Sequence, residues 1–265
     1  MYAVSSKEEE REIALMLALE SVSIKFGGLL AVDKLTMKIE DGRITALIGP
    51  NGAGKTTAFN IINGVYIPFE GTIVFNDDKI TGLKPYDVMR KGIARTYQNI
   101  RLFSNMTVLE NVQVGMHTKY RHGLFSNVIR NGSQRKEEKQ LRDDCFKALE
   151  FVGLESSANN TAKNLSYGDQ KKLEIARAIV SSPKTLLLDE PVAGMNAKEK
   201  DDMMNLIRRI KGGGTTILLV EHDMKVVMGL ADYIYVMNYG KCIAEGIPGQ
   251  IQKNPIVIEA YLGGD

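Results

Sequence analysis

The 265-residue chain lacks any long apolar segment, and we expect it not to span a membrane. Its longest early apolar run covers residues 13–19 and ends at Glu20, whereas a membrane-spanning helix needs about 18 or more apolar residues. The N-terminus also lacks a basic region leading into an apolar one, so we expect no signal peptide. Residues 1–15 are instead predicted to form a charged extension ahead of one domain over residues 16–265.

Cysteine is scarce and the net charge is nearly zero. Cys145 and Cys242 have neither metal-ligand spacing nor the pattern of a disulfide framework, which is typical of proteins in a reducing cytosol. With 34 basic and 32 acidic side chains, the net charge is only +2, so there is no electrostatic reason to expect nucleic acid as a partner. The composition, 44% hydrophobic and 25% charged, is that of an ordinary globular protein.

A glycine-rich stretch between a predicted strand, residues 44–48, and a predicted helix, residues 58–63, carries the strongest functional signal. Its members are Gly49, Pro50, Asn51, Gly52, Ala53, Gly54, Lys55, Thr56 and Thr57. They have the GxxxxGK[ST] spacing of a phosphate-binding loop, in the strand-to-helix context that such a loop needs. A glycine-rich turn without a ligand is the alternative, but the full spacing favours nucleotide binding.

Each part of this loop has a chemical role in holding a triphosphate. Glycine backbones can adopt positive φ and approach a ligand closely, so that successive N–H groups point at phosphate oxygens. The helix N-terminus adds partial positive charge. Lys55 is predicted to reach the β- and γ-phosphates, and the Thr56 hydroxyl to bind a bridging Mg²⁺. A nucleoside triphosphate with Mg²⁺ is therefore the expected ligand.

Two predicted core strands further along the chain end in titratable side chains. The apolar run 185–188 ends in Asp189 and Glu190, which is typical of a buried parallel strand that delivers carboxylates to one edge of a sheet. Asp189 suits Mg²⁺, whereas Glu190 can accept a proton from an attacking water. The strand predicted at 216–220 leads to His222, which can hydrogen-bond a γ-phosphate. The alternatives are a solvated turn for the acids and a polar helix start for His222.

Two predictions concern groups outside the loop. Ser166 and Asp169 have the spacing of a helix start, which places the Gly168 amide in the first turn and implies a second anion site. The alternative is an ordinary capped helix. Phe26 lies in a β-like stretch, residues 17–39, and its ring is predicted to stack on adenine, by analogy with base stacking elsewhere. The alternative for Phe26 is a core aromatic on a strand.

Periodicity predicts how the rest of the chain surrounds these residues. Residues 34–39 and 72–75 are expected to pair within an antiparallel sheet beside the nucleotide core. A helical subdomain at about residues 99–165 is expected between two core strands, because Thr107 begins a capping box and an apolar helical face follows. Residues 120–134 are turn-rich and basic, which predicts an exposed excursion.

Six motifs, in this order, resemble those of the ATP-binding subunits of ABC transporters, over about residues 17–263. They are residues 49–56, similar to Walker A; Gln98, similar to the Q-loop glutamine; residues 165–170, similar to the signature motif; residues 186–189, similar to Walker B; residues 193–196, similar to the D-loop; and His222, similar to the switch histidine. The fold that this resemblance implies is α/β: a P-loop NTPase core with a mostly parallel sheet, a flanking antiparallel β subdomain and an inserted α-helical subdomain.

The resemblance implies an ATPase with ATP and Mg²⁺ as its ligands. Glu190 matches the catalytic glutamate, and His222 and Gln98 would act with it. Thr56, Gln98 and Asp189 would bind the metal.

The resemblance also implies partners. Two such subunits, identical or different, would pair head to tail around ATP, so that Ser166 and Gly168 of one complete the ATP site of the other. Separate transmembrane permease subunits would dock near residues 98–103 and the inserted helices, and a solute-binding protein would act indirectly. The chain would then be a peripheral subunit at the cytoplasmic face of the cell membrane.

Within the family, four phrases most resemble the branched-chain amino-acid uptake subgroup; they are residues 101–103, 165–170, 221–225 and 260–263. The lipopolysaccharide-export ATPases are a close alternative. A soluble ABC-type ATPase of DNA repair or translation, and a regulatory subunit that binds ATP without hydrolysing it, are further alternatives. Four residues depart from the usual family pattern: Phe26, Tyr167, Asp169 and Asn196.

Overall fold

A computed structural model describes residues 14–117 and 132–262, with the backbone alone at residues 132–136 and 262. The predicted extension at residues 1–15 lies almost wholly outside the described residues, although Leu15 already begins the first strand. Most of the predicted excursion at residues 120–134 also lies outside them.

The elements are numbered here in chain order. The strands β1 to β10 are Leu15–Phe26, Leu29–Glu40, Ile44–Ile48, Glu70–Phe75, Asp78–Lys79, Ile93–Arg95, Thr185–Asp189, Thr216–Val220, Tyr233–Asn238 and Lys241–Gly246. The helices α1 to α9 are Lys55–Ile62, Pro85–Lys91, Val108–Val114, Gly132–Val152, Tyr167–Ile179, Ala197–Gly212, Met224–Leu230, Pro248–Ile251 and Pro255–Leu262. Short 3₁₀ turns lie at Glu155–Ser157 and Ala162–Asn164.

The central sheet has the strand order β10-β9-β3-β8-β7-β6, and its pairings are parallel except that of β10 with β9. Every residue of β3, β7 and β8 is buried, which explains their continuous apolar runs, since a parallel sheet is covered on both faces. The carboxyl ends of these strands meet at one edge. That edge carries the phosphate-binding loop after β3, Asp189 at the end of β7 and His222 just after β8.

The strands β1, β2, β4 and β5 form a second, antiparallel sheet in the order β2-β1-β4-β5. A tight turn at residues 27 and 28 joins β1 to β2. The predicted pairing of residues 34–39 with residues 72–75 is wrong, because β1 lies between them. Leu17 of β1 is opposite Ile39 on one side and Phe75 on the other. Local patterning indicates which residues form strands, but it does not show which neighbour takes each edge of a strand.

The helices α3, α4, α5 and α6 share one apolar core with a face of the central sheet. Buried members of this core include Val112, Leu149, Leu173, Leu188 and Leu206. The predicted capping box at the start of α3 is confirmed, with reciprocal hydrogen bonds between Thr107 and Glu110. Because α5 lies beyond the predicted subdomain limit at residue 165 and still packs on α3 and α4, the division at 99–165 stays a prediction.

The longest described helix is α4, with 21 residues, and it is rich in charged side chains. Across residues 14–117 and 132–262, no helix combines the length and the apolar character needed to cross a bilayer.

Gly115 allows the end of α3 to pack closely on α5. A Cβ atom at this position would lie 2.1 Å from the Arg177 carbonyl oxygen and 2.8 Å from a Val180 methyl carbon. We therefore predict that Gly115→Ala lowers the free energy of unfolding by about 1–3 kcal/mol through overpacking, measured by urea denaturation. The control is Gly212→Ala at the end of α6, where nothing lies within 4 Å of the added atom. A Gly115→Ala variant as stable as this control would contradict the prediction.

Candidate functional site

The phosphate-binding loop between β3 and α1 is built on three glycines with positive φ, namely Gly49 at 149°, Gly52 at 79° and Gly54 at 102°. Two of them also have no room for a side chain. A Cβ atom at Gly49 would lie 2.1 Å from the Met237 carbonyl oxygen, and one at Gly54 would lie 2.6 Å from the Ala31 carbonyl oxygen. The loop therefore requires glycine at these two positions for both conformation and packing.

The turn between β9 and β10 supports the loop from behind. The Gly240 amide donates a hydrogen bond to the Ala53 carbonyl oxygen at 3.0 Å, and the Asp33 amide donates to the Gly240 carbonyl oxygen at 2.9 Å. The loop is thus held by the turn between β9 and β10, which β2 supports in turn, as well as by its own glycines.

Lys55 is folded back onto the loop that precedes it. Its Nζ atom donates to the carbonyl oxygens of Gly49 at 2.7 Å and Pro50 at 2.9 Å. The side chain is buried, and burial lowers the pKa of Lys55, while the nearby carboxylates of Glu190 and Asp189 oppose this change. The Lys55 amino group is therefore held at the centre of the loop. Its neighbour along the chain, Thr56, is exposed in the first turn of α1.

A cleft of about 480 Å³ opens in front of the loop. Its lining contains most of the predicted ligand-binding residues, namely Phe26, Asn51, Gly52, Ala53, Gly54, Lys55, Thr56, Thr57, Gln98 and Glu190. The volume lies in the range of small-molecule sites. Gly49 and Pro50 lie in the same loop, behind this lining, and they contact Lys55. The described arrangement therefore gathers the loop, the aromatic ring and two of the predicted catalytic side chains around one space.

Glu190 lies next to both of the other predicted catalytic residues. Gln98 Nε2 donates to Glu190 Oε2 at 2.9 Å, and His222 Nδ1 lies 3.6 Å from Glu190 Oε1. Glu190 has a φ of 47°, a left-handed conformation that is uncommon for residues other than glycine and tends to occur at functional sites. The Glu190 amide donates to the Val220 carbonyl oxygen at 2.9 Å, which anchors this turn to β8.

Asp189 is held by an arginine that sequence reasoning missed. Arg95 Nη2 lies 2.9 Å from Asp189 Oδ2, and both side chains are only 4% exposed. Arg95 Nη1 also donates to Asn60 Oδ1 of α1 at 2.7 Å, and its guanidinium lies near the rings of Phe59 and Tyr97. This pairing could not be predicted from sequence, because it depends on β6 lying beside β7 in the sheet. It links the strand that carries Asp189 to the helix that follows the phosphate-binding loop.

The residues proposed to bind a metal offer the donor atoms that Mg²⁺ prefers. Thr56, Gln98 and Asp189 carry hydroxyl, amide and carboxylate oxygens, which are hard ligands. Among the described residues, no group of three or more His, Cys, Asp and Glu side chains could hold a metal ion. The oxygen donors therefore fit Mg²⁺ that arrives together with the phosphates of a nucleotide, rather than an ion held by the protein alone.

Glu221 is a second residue whose role was missed. It is fully buried, and its carboxylate accepts the backbone amides of Val192 at 3.1 Å, His222 at 3.1 Å and Asp223 at 3.4 Å. Burial raises the pKa of Glu221, and these hydrogen bonds oppose the increase. Glu221 thus ties the turn after Glu190 to the turn that carries His222.

Ser166 and Gly168 lie at the start of α5 and do not line the cleft. Ser166 Oγ accepts the Asp169 amide at 3.1 Å and donates to Asp169 Oδ2 at 2.9 Å. Gly168 is buried in the first turn, and a Cβ atom there would lie 3.3 Å from Glu199 Oε1. The predicted helix cap is confirmed, while the contact of these residues with a nucleotide stays a prediction.

Phe26 is not the core aromatic that was the alternative interpretation. Its side chain is 43% exposed, and its ring meets that of Tyr66 edge to face, with 5.0 Å between centroids. Because the ring also lines the cleft, it is free to contact a planar ligand group there, and its stacking on adenine stays a prediction.

Comparison with known proteins identifies the family. A family model described as "ABC transporter" matches residues 32–193, and one described as "Branched-chain amino acid ATP-binding cassette transporter" matches residues 241–265. The high-affinity branched-chain amino acid transport ATP-binding protein LivG of Escherichia coli strain K12 is 47% identical over 249 residues, which is 94% of this chain and 98% of that protein. BraF of Pseudomonas aeruginosa, which carries the same description, is 43% identical over the same shares of the two chains.

Solved structures agree with this assignment. An ATP-binding cassette of an ABC transporter in its ADP conformation superposes with a TM-score of 0.83 at 33% identity, covering 94% of this chain and 99% of that one. A dimeric cassette bound to ADP and phosphate after hydrolysis gives a TM-score of 0.74 at 27% identity, covering 88% and 99%. The ordered motifs, the mixed sheets and these matches together show that this chain belongs to the ABC transporter family, as one of its ATP-hydrolysing, ATP-binding subunits.

Proposed function

We propose that this subunit energises the import of branched-chain amino acids through separate membrane permease subunits. The substrate class is supported by relatives at 43–47% identity that are named for branched-chain amino acid transport, and by the family model that matches the C-terminal residues. The observation that carries the enzymatic part is the placement of Glu190, held by Gln98, at the cleft in front of the phosphate-binding loop. It provides a proton acceptor where the terminal phosphate of ATP would lie.

The proposed reaction is in-line attack of water on the γ-phosphorus. The loop amides and Lys55 hold the phosphate oxygens, and Glu190 orients the water and accepts one of its protons. A bond forms between the water oxygen and phosphorus, while the bond to the ADP oxygen breaks. Thr56, Asp189 and Gln98 would hold Mg²⁺, which would neutralise charge on the phosphate oxygens. His222 lies beside Glu190 and would hydrogen-bond the γ-phosphate.

The proposed active unit contains two ATP-binding subunits. Ser166 and Gly168 lie outside the cleft of their own chain, which leaves them available to the nucleotide of a partner. Backbone amides at the start of α5 and a serine hydroxyl are suitable donors for a phosphate anion. A dimeric relative at 27% identity supports such pairing.

A groove beside the Gln98 segment is the proposed docking site for a permease. It has a volume of about 290 Å³, and its lining includes Tyr86, Met89, Phe103, Val114 and Arg177. Tyr86 and Phe103 are exposed aromatic side chains, as expected for a surface covered by a partner. Docking there would place the subunit peripherally at the cytoplasmic face of the membrane, with a solute-binding protein acting only through the permease.

Substitution of Ser166 tests the pairing. On a Glu190→Gln background that retains ATP, we predict that Ser166→Ala weakens ATP-dependent dimerisation about 10²–10⁴-fold, because each of the two shared sites loses one hydrogen bond to a charged group. Sedimentation velocity with ATP and with ADP measures it. Ser181→Ala is the control, since that hydroxyl donates to the Ala178 carbonyl oxygen at the far end of α5. Unchanged dimerisation in Ser166→Ala would contradict the shared site.

Reconstitution tests the transported solute. The subunit assembled with its permease partners in proteoliposomes, with the solute-binding protein present, is expected to hydrolyse ATP several-fold faster when leucine, isoleucine or valine is added. Arginine serves as a control solute and should have no effect. Stimulation by lipopolysaccharide instead would favour an exporter, and salt-sensitive binding of nucleic acid would favour a non-transport ATPase.

A further inference from the structure

Helix α5 buries charged side chains that the proposed hydrolysis does not use. Lys171 is 3% exposed and Glu174 is 1% exposed, and Arg177 follows on the same face of the helix, since these residues are spaced by three. Burying charge is costly unless each group has good partners. The partners of these side chains therefore indicate what the burial achieves.

All three side chains hold the main chain of residues 97–101. Lys171 Nζ donates to the carbonyl oxygens of Gln98 at 2.8 Å and Tyr97 at 3.4 Å. Arg177 Nη1 donates to the Arg101 carbonyl oxygen at 2.5 Å. The Arg101 amide in turn donates to Glu174 Oε1 at 3.3 Å. A buried acid, a buried lysine and a partly buried arginine thus hold one short segment against α5.

The segment held by α5 begins where the hydrogen bonds of the central sheet end. β6 ends at Arg95, and the Thr96 amide makes the last sheet contact, with the Leu187 carbonyl oxygen at 2.9 Å. Beyond it, the main-chain hydrogen bonds that the described structure gives residues 97–101 run to α5 side chains. The segment therefore follows α5 in any displacement of the helix relative to the sheet.

The unit formed by residues 97–101 and α5 connects two residues that are proposed to act at different nucleotides. At one end, the Gln98 side chain is bound to Glu190 at 2.9 Å, in the cleft of its own chain. At the other end, Ser166 caps α5, five residues before Lys171. A rigid helix thus joins the residue facing one nucleotide to the residue that would face the nucleotide of the partner.

We propose that Lys171 is a positioning residue that ties the main chain of Gln98 to α5, so that nucleotide binding at Gln98 shifts Ser166 towards the second site of the dimer. The proposal rests on the proposed function of Ser166. In this proposal, α5 and residues 97–101 move as one unit between two positions. Each of the two nucleotides changes the balance between those positions. Burial lowers the pKa of Lys171, while Glu174, Asp189, Glu190 and Glu221 all oppose that change.

Hydrogen exchange measured by mass spectrometry tests the connection without hydrolysis. The full chain is studied as a monomer, at a concentration checked by sedimentation, with and without a non-hydrolysable ATP analogue and Mg²⁺. In the parent, the nucleotide is expected to slow exchange together in residues 97–101 and 166–171. In Lys171→Met, residues 97–101 should still respond, whereas the response of residues 166–171 should fall at least about 3-fold, in line with coupling energies of about 0.5–2 kcal/mol.

Two further variants sharpen the test. Lys171→Arg keeps the charge and donors and should keep the joint response, which a purely steric role of the side chain would not require. Lys147→Met, at an exposed lysine of α4, is the control and should behave as the parent does. In steady state, Lys171→Met should lower kcat about 3- to 30-fold while leaving the nucleotide affinity within about 2-fold.

The outcomes separate this proposal from the proposed function. An unaltered response of residues 166–171 in Lys171→Met overturns the positioning role and leaves ATP hydrolysis untouched. Absence of nucleotide binding by the parent overturns the proposed function itself. If Lys171→Met does not fold, Gln98→Ala gives the same test from the other end, because it removes the contact with Glu190 and keeps the main-chain contacts with α5. A response of α5 that persists in Gln98→Ala likewise overturns the proposal.

Discussion

Glu190→Gln is expected to bind ATP about as well as the parent and to hydrolyse it about 10²–10⁴-fold more slowly, the usual contribution of a general base. The substitution keeps the size of the side chain and an oxygen that can accept the hydrogen bond from Gln98, now 2.9 Å from Glu190 Oε2. What it removes is the ability to take a proton from water. The binding step, which relies on the phosphate-binding loop, should therefore remain.

Single-turnover phosphate release, combined with equilibrium binding of ATP, separates the two effects. Glu150→Gln at an exposed position of α4 is a matched control for the loss of one acid and should retain parental turnover. If Glu190→Gln also turned over at the parental rate, another group would have to accept the proton. His222, whose ring lies 3.6 Å from the same carboxylate, would be the next residue to test.

Lys55→Ala should reduce nucleotide affinity by about 10²–10⁴-fold, because two or more hydrogen bonds from a charged donor to phosphate oxygens are lost, at about 1.5–3 kcal/mol each. The ammonium group is already held among the carbonyl oxygens of Gly49 and Pro50. The loop is thus arranged around this charge, and the lysine needs little reorganisation to reach a phosphate.

Titration with a fluorescent ATP analogue measures this loss directly. Lys79→Ala on the short edge strand β5, an exposed position, controls for the removal of one positive charge from the protein. Affinity within about 2-fold of the parent in Lys55→Ala would exclude the proposed contact. A thermal melt of each variant shows whether the fold is retained.

Features governed by neighbours in the sequence were predicted well. The helix caps at Thr107 and Ser166 are present with the expected side-chain hydrogen bonds, because capping involves residues only three positions apart. The buried strands β7 and β8 were predicted for a related reason, since their apolar runs reflect coverage on both faces. In these cases the sequence pattern and its physical cause lie within one element.

Features that depend on distant parts of the chain were not predicted. The partners of β1, the pairing of Arg95 with Asp189 and the contact of Glu221 with the Val192 amide all require knowledge of which strands are adjacent. A helix start near His222 was only the alternative interpretation, but α7 does begin there, and Asp223 caps it through the amides of Lys225 and Val226. Its signal was present, but seven residues are too few for periodicity to stand out.

The proposed roles of the site residues were reached through motif resemblance rather than through physics alone. Elementary chemistry predicted a triphosphate at the loop and carboxylates at the sheet edge, and the fold places Gln98, Glu190 and His222 side by side. Assigning Ser166 to a partner's nucleotide required the family pattern, since Ser166 lies outside the cleft of its own chain.

The support of the phosphate-binding loop by Met237 and Gly240 has a consequence for biosynthesis. The loop is made early in translation, but the main-chain atoms that press against Gly49 and accept or donate hydrogen bonds behind it come from β9 and the turn after it. A nascent chain stalled before β9 has left the ribosome would therefore carry every residue of the loop and still lack this main-chain support. The loop gains this support only when about the last eighth of the polypeptide, which begins with β9 at Tyr233, has been released.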